Sequence, residues 1–311
     1  MTMTISELQE KWNSILPYTG GYLLVSGDHP LSFHIGYRSD EQKSFVVLNT
    51  GMLDHIVSSK AITAECIETA ENTYALRFSL NYPSLDEIFI KLCWDLIDSS
   101  KNAEKPVQKI LDQYSKWLRL LQQAGKGIMS SSLQKGLIGE LLYFNDMLAV
   151  ETTQQVLNAW VGPEGSDQDY IFDKYWAEVK AVSASANIVE ISSLQQLDRS
   201  DLGFLEVFFL DKTTSKGAQT ISLPEIIKGI REKITDAHEL DEYNCKLTKY
   251  GYCDKDAEKY QESRYRYAEK RCYRVDGLFP RLTRANIPVS VVSAQYGLSL
   301  SAIEANKVQE A

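Results

Sequence analysis

Two carboxylates and a lysine near the middle of the chain are spaced to share one surface. Residues 167–180 predict a β-hairpin with its two-residue turn at 173–174. In that register Asp169 lies opposite Glu178, with their Cβ atoms roughly 5 Å apart. Lys180 lies on the same face as Glu178, because alternate residues of a strand point to the same side. Like charges placed opposite each other repel, so the arrangement indicates a cation between them.

Side chains of these three types on one face have the chemistry that phosphodiester hydrolysis needs. Oxygen ligands suit Mg²⁺, which keeps several of its waters and often needs only one or two carboxylates. Mn²⁺ accepts the same ligands. Such an ion polarises a phosphoryl oxygen and lowers the pKa of a bound water. Lys180 would orient that water or stabilise the charged phosphorane, so the sequence predicts a Mg²⁺ site, with Mn²⁺ as a substitute.

A third carboxylate comes from a helix predicted over residues 132–149. Glu140 falls inside the apolar stripe of this helix, where a charge is costly unless it is paired or bound to a metal. Gly136 and Gly139 allow another element to approach the helix backbone closely. Glu140 is therefore a candidate catalytic and metal-binding residue, and Lys135, one turn away, is a candidate phosphate contact.

A simpler interpretation competes with this one. Asp-Lys is a weak two-residue turn, and a slip of one residue would separate the two carboxylates. Glu178 and Lys180 would then be solvent-facing residues of an edge strand, and Glu140 would extend its carboxylate to solvent from the helix margin.

Several motifs resemble those of the PD-(D/E)XK nuclease superfamily. They are Gly139-Glu140-Leu141, Trp160 with Gly162-Pro-x-Gly165, Asp169-Tyr170, Trp176-Ala-Glu178-Val-Lys180, and Ile191-Ser-Ser-Leu-Gln-Gln196-Leu. More narrowly, the chain resembles a bacterial PD-(D/E)XK-motif family that is found with restriction and phage-defence genes. The likeness extends to Tyr273-Arg-Val, Leu278-Phe-Pro-Arg281 and Tyr296 near the end of the sequence.

The resemblance implies an α/β fold with a restriction-endonuclease-like core, in which helices flank a mixed central sheet. It implies that Asp169 and Glu178 are metal ligands and that Lys180 is the catalytic lysine. Glu140 matches the acidic residue of the first core helix in this family. Because double-strand cutting by this fold often uses two active sites, a homodimer is also expected.

Two assignments within the motif stay open. Asp169 does not follow a proline, since Pro163 lies six residues upstream, and Asp167 is therefore an alternative to it. Gln196 is similar to a glutamine that some branches of the superfamily place near the active site, and Gln195 is an alternative for that role.

A cationic segment at residues 264–284 would lie against the nucleic acid. Its seven Lys and Arg residues outnumber two carboxylates, and three tyrosines are interleaved with them. Such residues neutralise phosphates, bind them bidentately and stack on unpaired bases. The candidate DNA contacts are Lys135, Arg264, Arg266, Lys270, Arg271, Arg274, Arg281 and Arg284. The alternative is a solvated helix face paired with acidic neighbours, because a helix is predicted over 256–268 and a strand only over 271–275.

The composition sets limits on the class of protein. A net charge of −9 over 311 residues excludes a generally cationic coat protein of nucleic acid, but it allows an enzyme that gathers positive charge locally. No apolar run approaches the ~18 residues that span a bilayer. Five cysteines, an odd number, are typical of reduced thiols, so we expect a cytoplasmic protein without membrane contact.

The pattern of elements predicts two domains. Residues 1–102 predict a small α+β domain for recognition or partner docking, and residues 103–311 predict the nuclease domain. The boundary lies within a polar stretch, residues 99–105, that ends at Pro106, a residue that suits the first turn of a helix.

The leading hypothesis is a Mg²⁺-dependent DNA endonuclease of a restriction or antiviral defence system. It would act with partner proteins from the same locus, such as an ATPase, a helicase or a methyltransferase, because the chain has no phosphate-binding loop of its own. The main alternative is a catalytically inactive DNA-binding or scaffolding subunit. A ribonuclease or a structure-selective repair nuclease is a third.

Overall fold

The structure, a computed structural model, describes residues 3–17, 21–25, 27–38, 42–54, 56–123, 128–217 and 219–308. The chain divides into two units. Unit 1 is Met1–Gly127 with Leu240–Gly251, and unit 2 is Ile128–Glu239 with Tyr252–Ala311.

Unit 1 combines an antiparallel sheet with helices on one face. Its elements are α1 (Ile5–Asn13), β1 (Tyr22–Leu24), β2 (Ser32–Tyr37), β3 (Lys43–Leu48), β4 (Ile62–Ala70), β5 (Thr73–Leu80), α2 (Asp86–Ser100) and α3 (Pro106–Gln123). The strand order is β1-β2-β3-β5-β4. Phe33, Phe45 and Phe78 come from three adjacent strands and form a row of aromatic contacts that ends at Tyr114 of α3. This row is the centre of the core, so α3 belongs to unit 1, and the division predicted after residue 102 differs from the observed one.

Unit 2 holds the second sheet. Its elements are α4 (Ser131–Met147), α5 (Thr153–Ala159), β6 (Tyr170–Ile171), β7 (Trp176–Val182), β8 (Ile188–Ile191), β9 (Gly203–Thr213), β10 (Thr220–Ser222), α6 (Leu223–Arg231), α8 (Ala257–Gln261), β11 (Arg264–Val275) and β12 (Tyr296–Ser299). Between α6 and α8 the chain forms α7 (Ala237–Tyr250), of which only the first residues belong to unit 2. The strand order is β10-β11-β9-β7-β6, with β7 and β9 parallel and the other pairs antiparallel. This is the mixed central sheet that the sequence predicted, and the α/β fold class is confirmed.

Each face of this sheet is covered. Helix α4 packs closely on one face, where a Cβ atom on Gly139 would lie only 3.1 Å from the Cβ atom of Ala181. The small β8–β12 sheet covers the other face, with Ile191 and Leu298 in one apolar cluster with Val207 of β9. The glycine therefore serves the close approach of helix and strand that its position predicted.

Helix α7 contributes most of its length to unit 1. Its Lys249 ammonium lies 3.0 Å from the carboxylate of Asp95, which is buried on α2. The other oxygen of Asp95 accepts hydrogen bonds from Gln113 Nε2 at 2.7 Å and Trp117 Nε1 at 2.6 Å. A buried carboxylate is stable only with such partners, so this network holds α7 against α2 and α3.

The predicted helix over residues 256–268 is wrong. Only Ala257–Gln261 is α-helical, and Arg264–Val275 is a long strand, β11. The tyrosines of this segment favour strand, and pairing with the buried strand β9 along its whole length outweighs the local helical pattern.

In the part of the chain that the structure describes, no helix has both the length and the apolar character that crossing a bilayer requires.

Candidate active site

Strand β7 places the glutamate and the lysine of the motif. Glu178 is 1% exposed, and its Oε1 atom lies 2.8 Å from Lys180 Nζ. Val179 and Ala181 alternate with them and point toward α4. The predicted sharing of one face by Glu178 and Lys180 follows from this two-residue period.

The hairpin register was predicted correctly as far as Tyr170. Tyr170 pairs with Ala177 and Ile171 pairs with Trp176, and the Phe172 N–H donates to the Tyr175 carbonyl across the turn. The hairpin ladder ends at Tyr170, so Asp169 does not pair with Glu178 across it.

Asp169 instead turns toward an upstream segment. Its carbonyl oxygen accepts N–H groups from Val161 at 2.9 Å and Gly162 at 3.0 Å. Its carboxylate Oδ2 accepts the N–H of Val179 at 2.8 Å, which fixes the side chain against β7. Asp167, the alternative from the sequence, is exposed. The structure thus brings Asp169, and not Asp167, to β7.

Glu140 reaches the same region from α4. It is 5% exposed, and its Oε2 atom accepts the indole N–H of Trp160 at 2.8 Å. The Tyr170 hydroxyl donates to the backbone carbonyl of Glu140 at 2.8 Å, which ties this turn of α4 to β6. Gly162 lies beside both acids: a Cβ atom at this position would lie 3.1 Å from both Glu140 Oε2 and Asp169 Oδ1.

Burial raises the pKa values of Asp169 and Glu178, and repulsion from neighbouring carboxylates raises that of Glu178 further. The pKa of Glu178 is raised well above its ordinary value, first by burial and then by the charge of Asp169, while Lys180 acts in the opposite direction. Burial raises the pKa of Asp169 to about 6, although the Val179 N–H and Lys180 both favour its charged form. Such a site is more stable when a cation is present.

The donor set fits a divalent cation held by two carboxylates. Glu178 Oε2 is buried and has no hydrogen-bond partner in the described part of the chain. Carboxylate oxygens are the ligands that Mg²⁺ prefers, and waters complete its coordination shell. Among the described residues no three His, Cys, Asp or Glu side chains are grouped to hold a metal, so the expected three-carboxylate set does not form. Glu140 Oε2 is bonded to Trp160 instead.

Gln196 lies beside the lysine. Its Oε1 atom accepts hydrogen bonds from Lys180 Nζ at 3.0 Å and from the Ser192 N–H at 2.7 Å. Gln195 contributes only its backbone carbonyl, which accepts from Gln168 Nε2 at 2.7 Å. Of the two glutamines that the sequence offered, Gln196 is therefore the one whose side chain contacts the site.

Three of the expected DNA contacts are held inside the fold. Arg264 is 9% exposed and bonds Glu225 bidentately at 2.7 and 2.8 Å. Lys270 lies between two carboxylates, at 3.1 Å from Asp146 and 3.3 Å from Glu206. Arg281 donates to the carbonyls of Leu197 and Arg199, so it holds the loop that follows Gln196.

The remaining expected contacts are more accessible, although most have local partners. Arg271 pairs with Glu269 at 2.5 Å, and the Arg284 guanidinium donates to the carbonyls of Val291 and Val292. Arg266 and Arg274 pair with Asp211 and Asp276 at 3.2 Å each, and their side chains are 59% exposed. Lys135 is half-buried, and burial lowers its pKa while Asp211 raises it. Within β11 the predicted basic segment is thus a series of ion pairs on both faces of the strand, and beyond it Arg281 and Arg284 bond backbone carbonyls.

Sequence reasoning gave no role to Trp160 or Gly162. Both stood in a motif that carries the family resemblance, but neither is titratable, so neither drew a chemical hypothesis. The signal was present, since a tryptophan, a glycine and a proline close upstream of an acidic residue indicate a tightly packed turn.

Comparison with known protein families is consistent with this geometry. A family model described as "Putative PD-(D/E)XK family member, (DUF4420)" matches residues 8–301. No curated protein and no solved structure matches the chain. The PD-(D/E)XK superfamily generally comprises nucleases that use divalent metals. Because the matched model covers nearly the whole sequence, the chain belongs to this PD-(D/E)XK family, DUF4420.

Proposed function

We propose that this protein is a Mg²⁺-dependent endonuclease that hydrolyses phosphodiester bonds in DNA. The observation that carries the proposal is the buried Glu178 carboxylate, with Lys180 on one oxygen and no partner for the other among the described residues. A buried carboxylate oxygen of this kind is where a hard cation is expected.

Asp169 and Glu178 are the residues that would hold the ion. When bound, the ion supplies Lewis-acid polarisation of the phosphoryl group. Lys180 keeps its ammonium between Glu178 Oε1 and Gln196 Oε1, so it donates a hydrogen bond toward the attacking water or a phosphoryl oxygen. Gln196 orients this ammonium, because its own oxygen is fixed by the Ser192 N–H.

DNA as the substrate and a defence role as the setting are supported by the motif resemblance. Arg266, Arg274 and Arg284 are the exposed residues among the candidate backbone contacts, whereas Lys135 is half-buried. Partner proteins of the same locus would supply ATP-dependent or methylation activity, and a homodimer would provide two active sites for cutting both strands.

A second candidate function is a non-catalytic DNA-binding or scaffolding subunit. It is favoured by the ion pairs that engage most of the candidate cations and by the lack of a three-carboxylate group among the described residues. Under this alternative, Lys180→Ala would leave function in phage defence unchanged.

Metal-dependent plasmid cleavage tests the proposal. Supercoiled and linear DNA are incubated with wild-type protein in Mg²⁺, Mn²⁺ or EDTA, with and without the partner proteins. We expect cleavage with Mg²⁺ or Mn²⁺ that Asp169→Asn and Lys180→Ala abolish. The chain offers matched controls: Asp167→Asn and Gln195→Ala change neighbours of the site and should cut like wild type. Equal cleavage by Lys180→Ala and wild type would refute the proposal.

A further inference from the structure

The segment between α5 and β6 contacts two of the acidic residues at once. Trp160 is fully buried, pairs with Tyr170 as an isolated β-bridge, and donates its indole N–H to Glu140 Oε2 at 2.8 Å. The next two residues, Val161 and Gly162, donate their N–H groups to the Asp169 carbonyl. Three consecutive residues therefore bond both a helix glutamate and a loop aspartate.

The missing side chain of Gly162 allows these two carboxylates to lie close to the backbone. A Cβ atom at this position would lie 3.1 Å from Glu140 Oε2, 3.1 Å from Asp169 Oδ1 and 3.4 Å from Asp169 Cα. The first two distances are shorter than ordinary contacts, so the carboxylates would have to move by a few tenths of an ångström. Gly162 is not among the residues with a positive φ, so alanine can adopt its backbone conformation without strain.

We propose that Trp160, Val161 and Gly162 form a positioning clamp that fixes Glu140 beside Asp169, so that Asp169 and Glu178 are placed to bind a divalent cation. The inference rests on the proposed nuclease function and deepens it. Two donor types and one missing side chain act together: the indole orients Glu140, the two backbone N–H groups hold Asp169, and the bare Cα leaves both carboxylates in place. In this proposal the three residues act through the two acids and not on the substrate.

Gly162→Ala and Trp160→Phe test the clamp, because each removes one part of it. Supporting groups of this kind typically contribute 10–100-fold to metal affinity. We expect either variant to weaken Mn²⁺ binding by about 10-fold or more in calorimetric titration, and to lower the cleavage rate with little change in KM. The Trp160 indole ¹H–¹⁵N resonance of metal-free protein should shift in Gly162→Ala and in Glu140→Gln.

Two substitutions are matched controls. Gly229→Ala adds a methyl group in α6, where no heavy atom of the described residues, apart from the neighbouring residues and backbone of the helix itself, lies within 4 Å of the new Cβ position. Trp94→Phe removes an indole N–H that donates to the Met3 carbonyl at 2.8 Å in unit 1. Both should keep wild-type Mn²⁺ affinity and cleavage, even where thermal stability changes.

The outcomes separate the clamp from the proposed function. If Gly162→Ala matches Gly229→Ala in Mn²⁺ affinity and in the Trp160 resonance, the clamp is overturned. The clamp is also overturned if Glu140→Gln leaves that resonance unmoved. If wild type binds Mn²⁺ more tightly than both clamp variants but cuts no DNA, the nuclease proposal fails and the clamp stands. If wild type binds no Mn²⁺, both proposals fail.

Discussion

Two carboxylates buried in this protein, Asp95 in unit 1 and Glu178 in unit 2, have opposite surroundings. Both oxygens of Asp95 have partners: one accepts an amide and an indole N–H, and the other pairs with Lys249 at 3.0 Å. Glu178 has a lysine on one oxygen, while the other is unpartnered within the described residues. Asp169 and Glu140 add negative charge beside it.

The contrast separates a structural charge from a functional one. A buried charge whose hydrogen-bonding capacity is filled by the protein has no capacity left for a ligand, and removing its partner mainly reduces stability. A buried charge that the protein leaves unsatisfied destabilises the empty site and is a place for a ligand. Substituting a charged neighbour of each acid is therefore expected to change the stability of the protein in opposite directions.

The largest expected effect is on catalysis. Asp169→Asn removes the charge of one of the two proposed metal ligands. The cleavage rate should therefore fall by about 10³-fold, the scale of a lost electrostatic group at a reaction centre. The melting temperature of the metal-free variant should rise, because repulsion between buried acids is relieved. Single-turnover cleavage and thermal unfolding measure the two effects, with exposed Asp167→Asn as the control. Normal cleavage by Asp169→Asn would contradict the functional interpretation.

The next effect is on stability alone. Lys249→Met leaves Asp95 buried without its cation, which should cost about 3–5 kcal/mol in the unfolding free energy of unit 1. Lys228→Met is a matched control, because Lys228 and Glu232 form an exposed pair at 3.8 Å and should contribute less than about 0.5 kcal/mol. Urea unfolding followed by tryptophan fluorescence measures both. Similar losses of unfolding free energy in the two variants would contradict the structural role assigned to the Asp95–Lys249 pair.

A third prediction concerns pH. The folded pKa of Asp169, about 6, is above the ordinary value, so the folded protein binds the extra proton and its stability decreases as pH rises from about 4 to about 6. Metal-free protein should therefore melt at a higher temperature at pH 5 than at pH 7.5, and Asp169→Asn should reduce this difference. Saturating Mg²⁺ should stabilise the protein most above pH 6. A pH dependence identical in wild type and Asp169→Asn would disprove the assignment.

The smallest expected effect separates a buried paired arginine from an exposed one. Arg266→Ala should weaken DNA binding severalfold at low salt, with little change in stability. The slope of log affinity against log salt concentration should decrease in magnitude by about one, as for the loss of one phosphate contact. Arg264→Ala should instead destabilise unit 2, because it leaves Glu225 without its bidentate partner. Fluorescence anisotropy at several salt concentrations, together with thermal unfolding, distinguishes the two. Loss of DNA binding by Arg264→Ala alone would reverse the expected roles.

Local periodicity explains what the sequence could predict about the site. The hairpin register and the shared face of Glu178 and Lys180 follow from alternation over a few residues around one turn. The core-facing position of Glu140 follows in the same way from helical spacing. The mixed sheet came from the family resemblance rather than from these patterns.

The features that sequence reasoning missed depend on distant contacts. Asp169 leaves the hairpin ladder because the N–H groups of Val161 and Gly162 donate to its carbonyl oxygen, and no local sequence pattern predicts these hydrogen bonds. Segment 264–275 is a strand because it pairs with β9, about sixty residues earlier in the chain. Lys249 joins unit 1 through a partner 154 residues away. Each depends on which surfaces meet in the folded chain.

The crossing of α7 into unit 1 has a consequence for dissecting the protein. A cut between residues 127 and 128 would give an N-terminal fragment whose Asp95 lacks Lys249. The C-terminal fragment would carry a helix whose Cys245 has lost the apolar core that buries it. Neither fragment would be self-sufficient, and the C-terminal one would tend to aggregate. Isolating unit 2 requires replacing residues 240–251 with a polar linker.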